Sequence, residues 1–408
     1  MLTNIKIKNF KSLKDIHIVL GQITILIGLN GSGKSSLLQA LSVMKQSLKQ
    51  SQPMVDGDLL NLGYFNDVVS EGETKISFFI GGQKEVIFTP FVKRRRLAEY
   101  GYEIVCDRDG LFSLDPVIKI NDYTISGRWH KRRSESSNRI ELDTIYFQYG
   151  TSASIGMPFR IEASNVGTDE NKYEEANAAL NSLFGIFKDE LDSVIIVPAL
   201  RGFDKPRYNI ESTIRRDIMD SLGTSQQASH LASAIAYQSE IEEKVSENIN
   251  RITSIKIRHK LVPDKQIQIE THKKINIINE GFGTNQLVQL FTQIESASPY
   301  SLIAIEEPEI HLHPKAQAET AQVLMEIAQN ENKNLLISTH SEHLLFRFLI
   351  NVAKKKLDPK KLNIYYFELE NGFTKITKLE VDEKGRLSGG LKGFFETDLD
   401  EFAQFLGA

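Results

Sequence analysis

The sequence predicts an α/β fold: a mixed, mostly parallel core sheet flanked by helices, carrying a β-rich insertion and a helical subdomain. Three observations predict it. Near the N-terminus an apolar segment, ITILI, leads through a glycine-rich loop into a helical pattern. From residue 286 to residue 355, helical patterns alternate with short apolar strands, which is typical of parallel strands joined by helices. Between these parts, residues 74–165 form short strand-like pieces separated by turn signals.

The N-terminal part begins with two predicted strands and a helix. Residues 2–10 and 16–28 are rich in Ile, and the first segment alternates apolar with polar residues. Residues 35–48 have a helical pattern. The pieces of the following β-rich region are KISFFIG, EVIFTPFV, YEIVCD, VIKINDYTIS, ELDTIYFQY and FRIEA.

The second half returns to alternating helices and strands. Residues 172–190 form an amphipathic helix before the strand SVIIVPAL, and residues 209–252 are helical in pattern with a break near Gly223. The remaining predicted elements are the strands SIKIRHKLV and KQIQIET, helix 286–297, strand 301–305, helix 314–330, strand 334–338 and helix 342–355. We therefore expect four segments: 1–73, 74–190, 191–274 and 275–408.

Composition and charge exclude several classes of protein. The chain has 408 residues and a net charge of −4, so no global charge marks a nucleic-acid binder. Its one cysteine, Cys106, excludes an intrachain disulfide framework and suits a reducing compartment. The start, MLTNIKIKNFKSLKD, lacks the apolar region of a signal peptide, and no apolar run is long enough to span a membrane. We expect a cytoplasmic protein with no membrane partner.

The glycine-rich loop GLNGSGKS, residues 28–35, matches the G-x-x-x-x-G-K-[ST] pattern between a strand and a helix. Glycines let the backbone wrap phosphates closely, and successive N–H groups at the helix N-terminus face the anion. Lys34 is predicted to contact the outer phosphates and Ser35 to ligate Mg²⁺. The expected ligands are therefore ATP and Mg²⁺. The predicted nucleotide-binding residues here are Gly28, Asn30, Gly31, Ser32, Gly33, Lys34, Ser35 and Ser36.

Adjacent carboxylates follow a second apolar strand in SLIAIEEPE, residues 301–309. A buried parallel strand would bring them beside the P-loop. Glu306 is placed to hold Mg²⁺, directly or through water, and Glu307 to orient or deprotonate the water that attacks the γ-phosphate. A solvated acidic turn is the alternative, but four apolar residues leading directly into Glu-Glu argue against it.

A histidine follows a third apolar strand in NLLISTHSEHLL, residues 334–345. With one helix between them, this strand and the strand before Glu306 should end at the same edge of the sheet. His340 is therefore predicted near the γ-phosphate as a catalytic residue together with Glu307 and Lys34, although a lone histidine is more often structural.

In this order and spacing, the motifs resemble the heads of ABC-type ATPases, most closely the RecF, SMC and OLD-like branch. NFKSLKD followed by GLNGSGKSSLLQAL is similar to the opening of that branch, and EEPEIHLHP and STHSEHLL are similar to its later motifs. SVIIVPALRGFDKPRY and the last stretch, GRLSGGLKGFFETDLDEF, also resemble parts of some members. The resemblance implies an ABC-type P-loop ATPase head, with P-loop and signature loop in the first and last predicted segments. The acid at 306 is usually Asp, so the extra methylene leaves direct or water-mediated metal contact open.

The stretch GFGTNQ, residues 281–286, resembles a variant of the ABC signature loop. In such heads two subunits sandwich ATP, and the signature loop of one caps the nucleotide on the P-loop of the other. The resemblance therefore implies a homodimer or higher homo-oligomer whose trans nucleotide contacts are Gly281, Gly283, Thr284, Asn285 and Gln286. Small residues and a helix N-terminus suit a phosphate. An ordinary helix cap, with Thr284 or Asn285 as the N-cap residue, is the alternative.

Other features are weaker. His311 and His313, with Glu309, could be sketched as a metal site, as could His340 and His343, but no fuller ligand set is visible. OLD-family nucleases carry a Toprim domain after the head, and the short stretch after the His340 helix leaves no room for one, so we expect no nuclease activity. The basic clusters KRRR (93–96), RWHKRR (128–133) and KIRHK (256–260) read as solvated loops, as contacts to DNA or RNA, or as contacts to an acidic protein.

Three functions compete. The first is an ATP-hydrolysing dimeric switch which, by resemblance to standalone OLD-like ATPases, serves bacterial anti-phage defence and controls a separately encoded effector protein. The second is a RecF- or SMC-like DNA-repair clamp whose main output is DNA binding. The absence of sustained heptads in 209–252 argues against the SMC version. The third is a scaffold that binds ATP without turnover, against which Glu307 argues.

Overall fold

A computed structural model describes most of the chain. The described residues are 2–50, 55–57, 59–88, 92–108, 112–120, 123–131, 140–149, 159–162, 189–212 and 225–388. The chain divides into two compact units. The first comprises residues 1–20 and 39–192, and the second comprises residues 21–38 and 193–408. The four-segment division remains a prediction, although its boundary after residue 190 lies two residues from the last boundary between the units.

The first unit contains an antiparallel eight-stranded sheet in the order β2-β1-β4-β5-β6-β7-β8-β9. Its strands are β1 (Leu2–Phe10), β2 (Leu13–Val19), β4 (Lys75–Phe88), β5 (Val92–Asp107), β6 (Phe112–Ile120), β7 (Tyr123–Lys131), β8 (Ile140–Tyr149) and β9 (Phe159–Glu162). In the first hairpin Ile5 pairs with Ile18, and Ile7 with Ile16. All four isoleucines are buried, so period-2 alternation gives one side of this hairpin an apolar face.

The second unit contains the core sheet, a six-stranded sheet in the order β10-β14-β15-β3-β16-β17. Its strands are β3 (Ile23–Gly28), β10 (Val194–Val197), β14 (Leu302–Glu306), β15 (Asn334–Ser338), β16 (Leu362–Glu370) and β17 (Phe373–Leu379). Every neighbouring pair is parallel except β16 and β17. The predicted mixed, mostly parallel core sheet is confirmed. A smaller antiparallel sheet joins β11 (Tyr208–Asn209), β13 (Gln266–Thr271) and β12 (Ile257–Val262).

The predicted single strand 16–28 is wrong. The chain leaves β2 at Val19 and begins β3 at Ile23, and the two strands belong to different sheets. All six residues of β3 are buried, as expected of a central parallel strand. The pieces KISFFIG and EVIFTPFV were predicted as two separate strands, but residues of both belong to the single strand β4.

Helices cover the core sheet of the second unit. The described helices are α1 (Lys34–Gln50), the short α2 (Phe65–Val68) of the first unit, α3 (Ser225–Tyr237), α4 (Ser239–Thr253), α5 (Phe282–Ser296), α6 (Pro314–Asn330) and α7 (Glu342–Ala353). N-cap residues explain where α6 and α7 begin. His313 Nδ1 accepts a hydrogen bond from the Lys315 N–H, and Ser341 Oγ accepts one from the Leu344 N–H. Residues 172–188 of the predicted helix 172–190, and the break near Gly223, lie outside the described residues, and residues 189–190 are helical. Among the described helices, none is both long enough and apolar enough to cross a bilayer.

Candidate active site

The P-loop connects β3 to α1, as the motif predicted. Gly28, Gly31 and Gly33 all have positive φ angles, of 146°, 75° and 102°. A Cβ atom at Gly28 would overlap the carbonyl oxygen of Phe367 on β16. Only glycine satisfies both the backbone conformation and the close approach at that position. The residues at the tip of the loop, 29–31, are exposed, so the loop presents backbone to solvent at the carboxyl end of β3.

Lys34, the first residue of α1, is 5% exposed. Its Nζ donates hydrogen bonds to the carbonyl oxygens of Gly28 and Leu29 at 2.8 and 2.9 Å. Burial lowers the pKa of Lys34 to about 8, and the nearby carboxylates of the 306–309 segment oppose that effect. The ammonium group therefore lies at the edge of the sheet where these carboxylates emerge.

Glu306 is the last residue of β14 and lies in register with Ser338 at the end of β15, which in turn pairs with Leu26 of β3. The strand that leads to His340 thus lies between the P-loop strand and the strand that ends in the carboxylates. Glu306 Oε2 accepts a hydrogen bond of 3.4 Å from the Ala199 N–H, after β10. Three neighbouring parallel strands therefore bring their carboxyl ends to one place, as expected for a ligand site of an α/β sheet.

Glu307 has a left-handed backbone, with φ of 43°, and its N–H donates to the Ser338 carbonyl at 2.9 Å. Its Oε1 lies 3.8 Å from His340 Nε2. Burial, and then the charge of Lys34, lower the pKa of His340 to about 4. The imidazole is therefore neutral near pH 7, and its approach to Glu307 is a contact between a neutral ring and a carboxylate rather than an ion pair.

Two site residues were missed by the sequence analysis. Glu309, sketched only as a metal ligand, is buried, and its Oε1 accepts hydrogen bonds from Thr339 Oγ1 at 2.6 Å and from the His340 N–H at 2.8 Å. It therefore fixes the turn that carries His340. Arg201, just after β10, is buried and donates to the carbonyl oxygens of Glu306 and Glu307. A charged residue immediately after an apolar strand was the available signal for Arg201, and the partner groups lie more than a hundred residues away.

Residues 281–286 form the start of α5. The helix begins at Phe282 with Gly281 as its N-cap residue, so neither Thr284 nor Asn285 caps it. The Asn285 amide holds the backbone of Phe203, accepting from its N–H and donating to its carbonyl, both at 2.9 Å. Gln286 is only 1% exposed. Gly281 and Phe282 are the exposed residues at this helix N-terminus, and the proposed trans contacts remain predictions.

The histidines near the carboxylates have structural contacts. His313 caps α6, and the His311 ring meets Phe282 edge to face, with ring centroids 4.9 Å apart. Within the part of the chain that the structure describes, no three His, Cys, Asp or Glu side chains are grouped so as to hold a metal ion.

Of the three basic clusters, only the third has side chains that the structure describes. In the third cluster, Arg258 pairs with Glu270 at 2.6 Å and His259 Nδ1 lies 2.9 Å from Glu242. Two of its five residues are thus already matched by carboxylates. The side chains of the first two clusters, 93–96 and 128–133, lie outside the described residues.

The fold and this arrangement of residues define a P-loop ATPase domain, the class of protein that the glycine-rich loop and the carboxylates predicted. A family model described as "AAA domain, putative AbiEii toxin, Type IV TA system" matches residues 23–345. The matched region is well over half of the 408 residues, and the chain belongs to this family.

Individual proteins are similar at low identity. The chain is 20% identical over 348 residues to the OLD nuclease of Thermus scotoductus, covering 84% of this chain but only 59% of that protein. It is 20% identical over 383 residues to the Retron Vc95 probable ATPase of Vibrio cholerae, covering 84% of this chain and 71% of that protein. Among solved structures, the Smc head bound to the C-winged helix domain of ScpA has a TM-score of 0.48 at 14% identity, covering 94% of this chain and 98% of that one. The SMC head domain from Thermotoga maritima has a TM-score of 0.43 at 14% identity, covering 93% and 99%.

Proposed function

We propose that this ATPase hydrolyses ATP in a Mg²⁺-dependent reaction and that Glu307 acts on the attacking water. One observation carries the proposal: Glu306, Glu307 and His340 meet at the carboxyl edge of the core sheet, where the charges of the two glutamates act on the buried P-loop lysine. Family membership supports an ATPase. Titratable groups with perturbed pKa values at such an edge are typical of a reactive site.

Each group in the site has a distinct part in this chemistry. The P-loop N–H groups, the N-terminus of α1 and Lys34 would bind the phosphates, since loop glycines and a helix start favour an anion. Ser35 and Glu306 would hold Mg²⁺, which neutralises charge on the phosphate oxygens when bound. Neutral His340 would contact the γ-phosphate as a hydrogen-bond donor rather than as a cation.

Hydrolysis would proceed by attack of one water molecule on the γ-phosphorus. The new P–O bond forms to the water oxygen, and the bond from the γ-phosphorus to the bridging oxygen of ADP breaks. Glu307 accepts the water proton and later returns it to solvent, so the products are ADP and inorganic phosphate. Glu306 ends the extended strand β14, and Glu307 follows it with a left-handed backbone, so the two glutamates leave the chain from different backbone conformations.

We further propose that two chains close around ATP head to head. The start of α5 supports this, because its exposed residues Gly281 and Phe282 offer backbone N–H groups and a positive helix end to a phosphate of the opposing chain. With Gly283, Asn285 and Gln286 buried, the trans contact would come mainly from the backbone at Gly281 and Phe282.

The cellular role we propose is bacterial anti-phage defence, with the closed dimer controlling a separately encoded effector. Similarity to a retron ATPase supports a defence role, and the chain spans 59% of the OLD nuclease that it resembles. Two measurements test the proposal. Phosphate release from ATP should require Mg²⁺ and stop in EDTA, and the product of the adjacent gene should co-purify with the chain in an ATP-dependent way. ATP turnover that persists without any divalent cation would refute the proposed chemistry.

A further inference from the structure

Arg201 is buried in the site and donates hydrogen bonds to backbone carbonyl oxygens. The residue is 7% exposed. Nη1 donates to the carbonyl oxygens of Pro198 at 2.8 Å and Glu306 at 2.9 Å, and Nη2 donates to that of Glu307 at 3.1 Å. The planar guanidinium group thus bridges two successive carbonyl oxygens, one on each of the adjacent glutamates. A fixed fork of donors gives such an arrangement geometric specificity that a single ammonium cannot reproduce.

One of the carbonyl oxygens bonded to Arg201 belongs to Glu307, whose backbone conformation is strained. A non-glycine residue at φ of 43° is held at a cost of about 1–3 kcal/mol, which the surroundings must supply. On one side the Glu307 N–H bonds to the Ser338 carbonyl, and on the other Arg201 holds the Glu307 carbonyl. The direction in which the Glu307 carboxylate leaves the backbone depends on both contacts.

Charge also favours an arginine here. Burial lowers the pKa of Arg201 to about 10, while the charges of Glu309, Glu306 and Glu307 oppose that effect, so the group remains a cation at neutral pH. A neutral side chain at this position would leave three carboxylates close together without that buried counter-charge.

The two residues after Arg201 are bonded to helix α5. The Gly202 N–H donates to Gln289 Oε1, and the Phe203 backbone forms two hydrogen bonds with the Asn285 side chain. Gly202 has φ of 129°, a conformation suited to glycine. Residues 201–203, which we call the 201–203 connector, therefore bind the glutamate backbone at one end and the first two turns of α5 at the other.

We propose that Arg201 is a positioning residue for Glu307 and that the 201–203 connector links the orientation of Glu307 to helix α5. The inference rests on the proposed hydrolysis of ATP and adds a residue that acts through its hydrogen bonds to backbone carbonyl oxygens. It also gives a physical route by which engagement of the α5 N-terminus by a second chain would adjust the carboxylate of the first.

The test compares four full-length variants with the wild-type chain. Arg201→Met removes the fork and the charge, and Arg201→Lys keeps the charge. Gln289→Met removes the α5 contact at a residue that is not a proposed nucleotide ligand, and the fourth variant combines Arg201→Met with Gln289→Met. Arg258→Met is the control, because it makes the same substitution at an arginine that is bonded to a glutamate carboxylate on the neighbouring strand β13, outside the site. For each, kcat, KM, the Kd for a fluorescent ATP analogue and the melting temperature are measured.

We expect Arg201→Met to lower kcat about 100-fold with nucleotide affinity changed less than about threefold, because small displacements of a reacting group are costly. Arg201→Lys should recover part of the loss, and Gln289→Met should lower kcat less. The double variant should be no slower than Arg201→Met alone, because residues on one route are not additive. The control should keep the wild-type kcat.

Several outcomes would overturn the inference. A wild-type kcat in Arg201→Met would overturn it, and so would a loss of kcat in that variant that is matched by an equal loss of nucleotide affinity. The role of the connector would be overturned if the effects of Arg201→Met and Gln289→Met on kcat were fully additive in the double variant. If Arg201→Met does not fold, wild-type kcat values in both Arg201→Lys and Gln289→Met would overturn it. A wild-type chain that binds but never hydrolyses ATP refutes the proposed function itself, whereas normal wild-type turnover with unaffected variants refutes only the inference.

Discussion

Gly281→Asp places a carboxylate at the N-terminus of α5, where we propose that the phosphate of an opposing chain binds. The structure shows room for the change, because a Cβ atom at Gly281 would meet nothing within 4 Å. The backbone there, with φ of −52° and ψ of 137°, is compatible with an aspartate N-cap. Asp is a better N-cap residue than Gly and favours the helix dipole, so the fold should gain a few tenths of a kcal/mol.

The same substitution should weaken the closed state of two chains, although it slightly stabilises the fold of each. At about 4 Å and an effective dielectric constant of about 20, two unit negative charges repel by about 4 kcal/mol, which corresponds to a roughly thousandfold weaker closed state. We therefore expect Gly281→Asp to keep ATP binding and its melting temperature while losing hydrolysis and ATP-dependent dimerisation. Phosphate release and sedimentation velocity at matched concentration measure both effects. Normal hydrolysis by Gly281→Asp would refute the trans role of this helix start.

Gly281→Asn is the matched control, because Asn caps a helix as well as Asp does but carries no charge. It should retain most of the activity. A second check mixes inactive Gly281→Asp with inactive Lys34→Ala, since one of the two composite sites in a mixed dimer is then intact. Random exchange at equal amounts should restore about a quarter of wild-type activity if the sites of the twofold dimer act independently. Gly283 is unsuitable for this test, because a Cβ atom there would lie 2.7 Å from the His311 carbonyl oxygen and disturb the fold.

Other predictions address the remaining groups. Lys34→Ala should abolish nucleotide binding or turnover, as measured by analogue titration and phosphate release, and normal hydrolysis would exclude the P-loop assignment. Glu307→Gln should bind ATP and hold the heads closed, with turnover lowered about 100-fold or more because the water loses its base; undiminished kcat would remove Glu307 from the reaction. If the basic clusters bind DNA or RNA, affinity should fall steeply between about 50 and 200 mM salt. Reversing the first two clusters should then weaken binding, and unchanged binding would leave them as solvated loops; the residues to reverse are Arg94, Arg95, Arg96, Arg132 and Arg133. Burial raises the pKa of Glu295 to about 7, so its charge costs stability as pH rises from about 4.5 through 7. In urea titrations, Glu295→Gln should therefore gain about 1–3 kcal/mol on the wild type between pH 5 and pH 8; a pH-independent difference would show that this burial does not act as described.

The core of the fold could be predicted because its signals are local. The P-loop, the strand before Glu306 and the strand before His340 each combine an apolar run with polar residues at its end, and parallel strands bring such ends together. The predicted strand 16–28 failed because Ile-rich strands look alike in sequence. Pairing with β1 or with β15 is a long-range choice, and only Gly21 in the connecting turn marked the change of sheet.

The supporting residues of the site could not be predicted for a related reason. Arg201 acts on carbonyl oxygens 105 and 106 residues away, and backbone carbonyls have no sequence signature. Asn285 looked like a phosphate ligand or a cap because it lies at a helix start, but its amide is occupied by the backbone of Phe203. The hydrogen-bond partners of Arg201 and Asn285 are determined by how distant segments of the chain pack together, and not by residue type or local position.

At Glu307, the left-handed backbone lowers the stability of the fold, while the proposed reaction requires a carboxylate at the same position. Glycine, and after it Asn or Asp, adopts a φ of 43° more readily than glutamate does. A folded domain has a net stability of only about 5–15 kcal/mol, so a strain of about 1 kcal/mol or more is a noticeable fraction of it. Glycine at this position would relieve that strain. With glutamate, the protein gives up some stability at the position where we propose that a carboxylate acts on water.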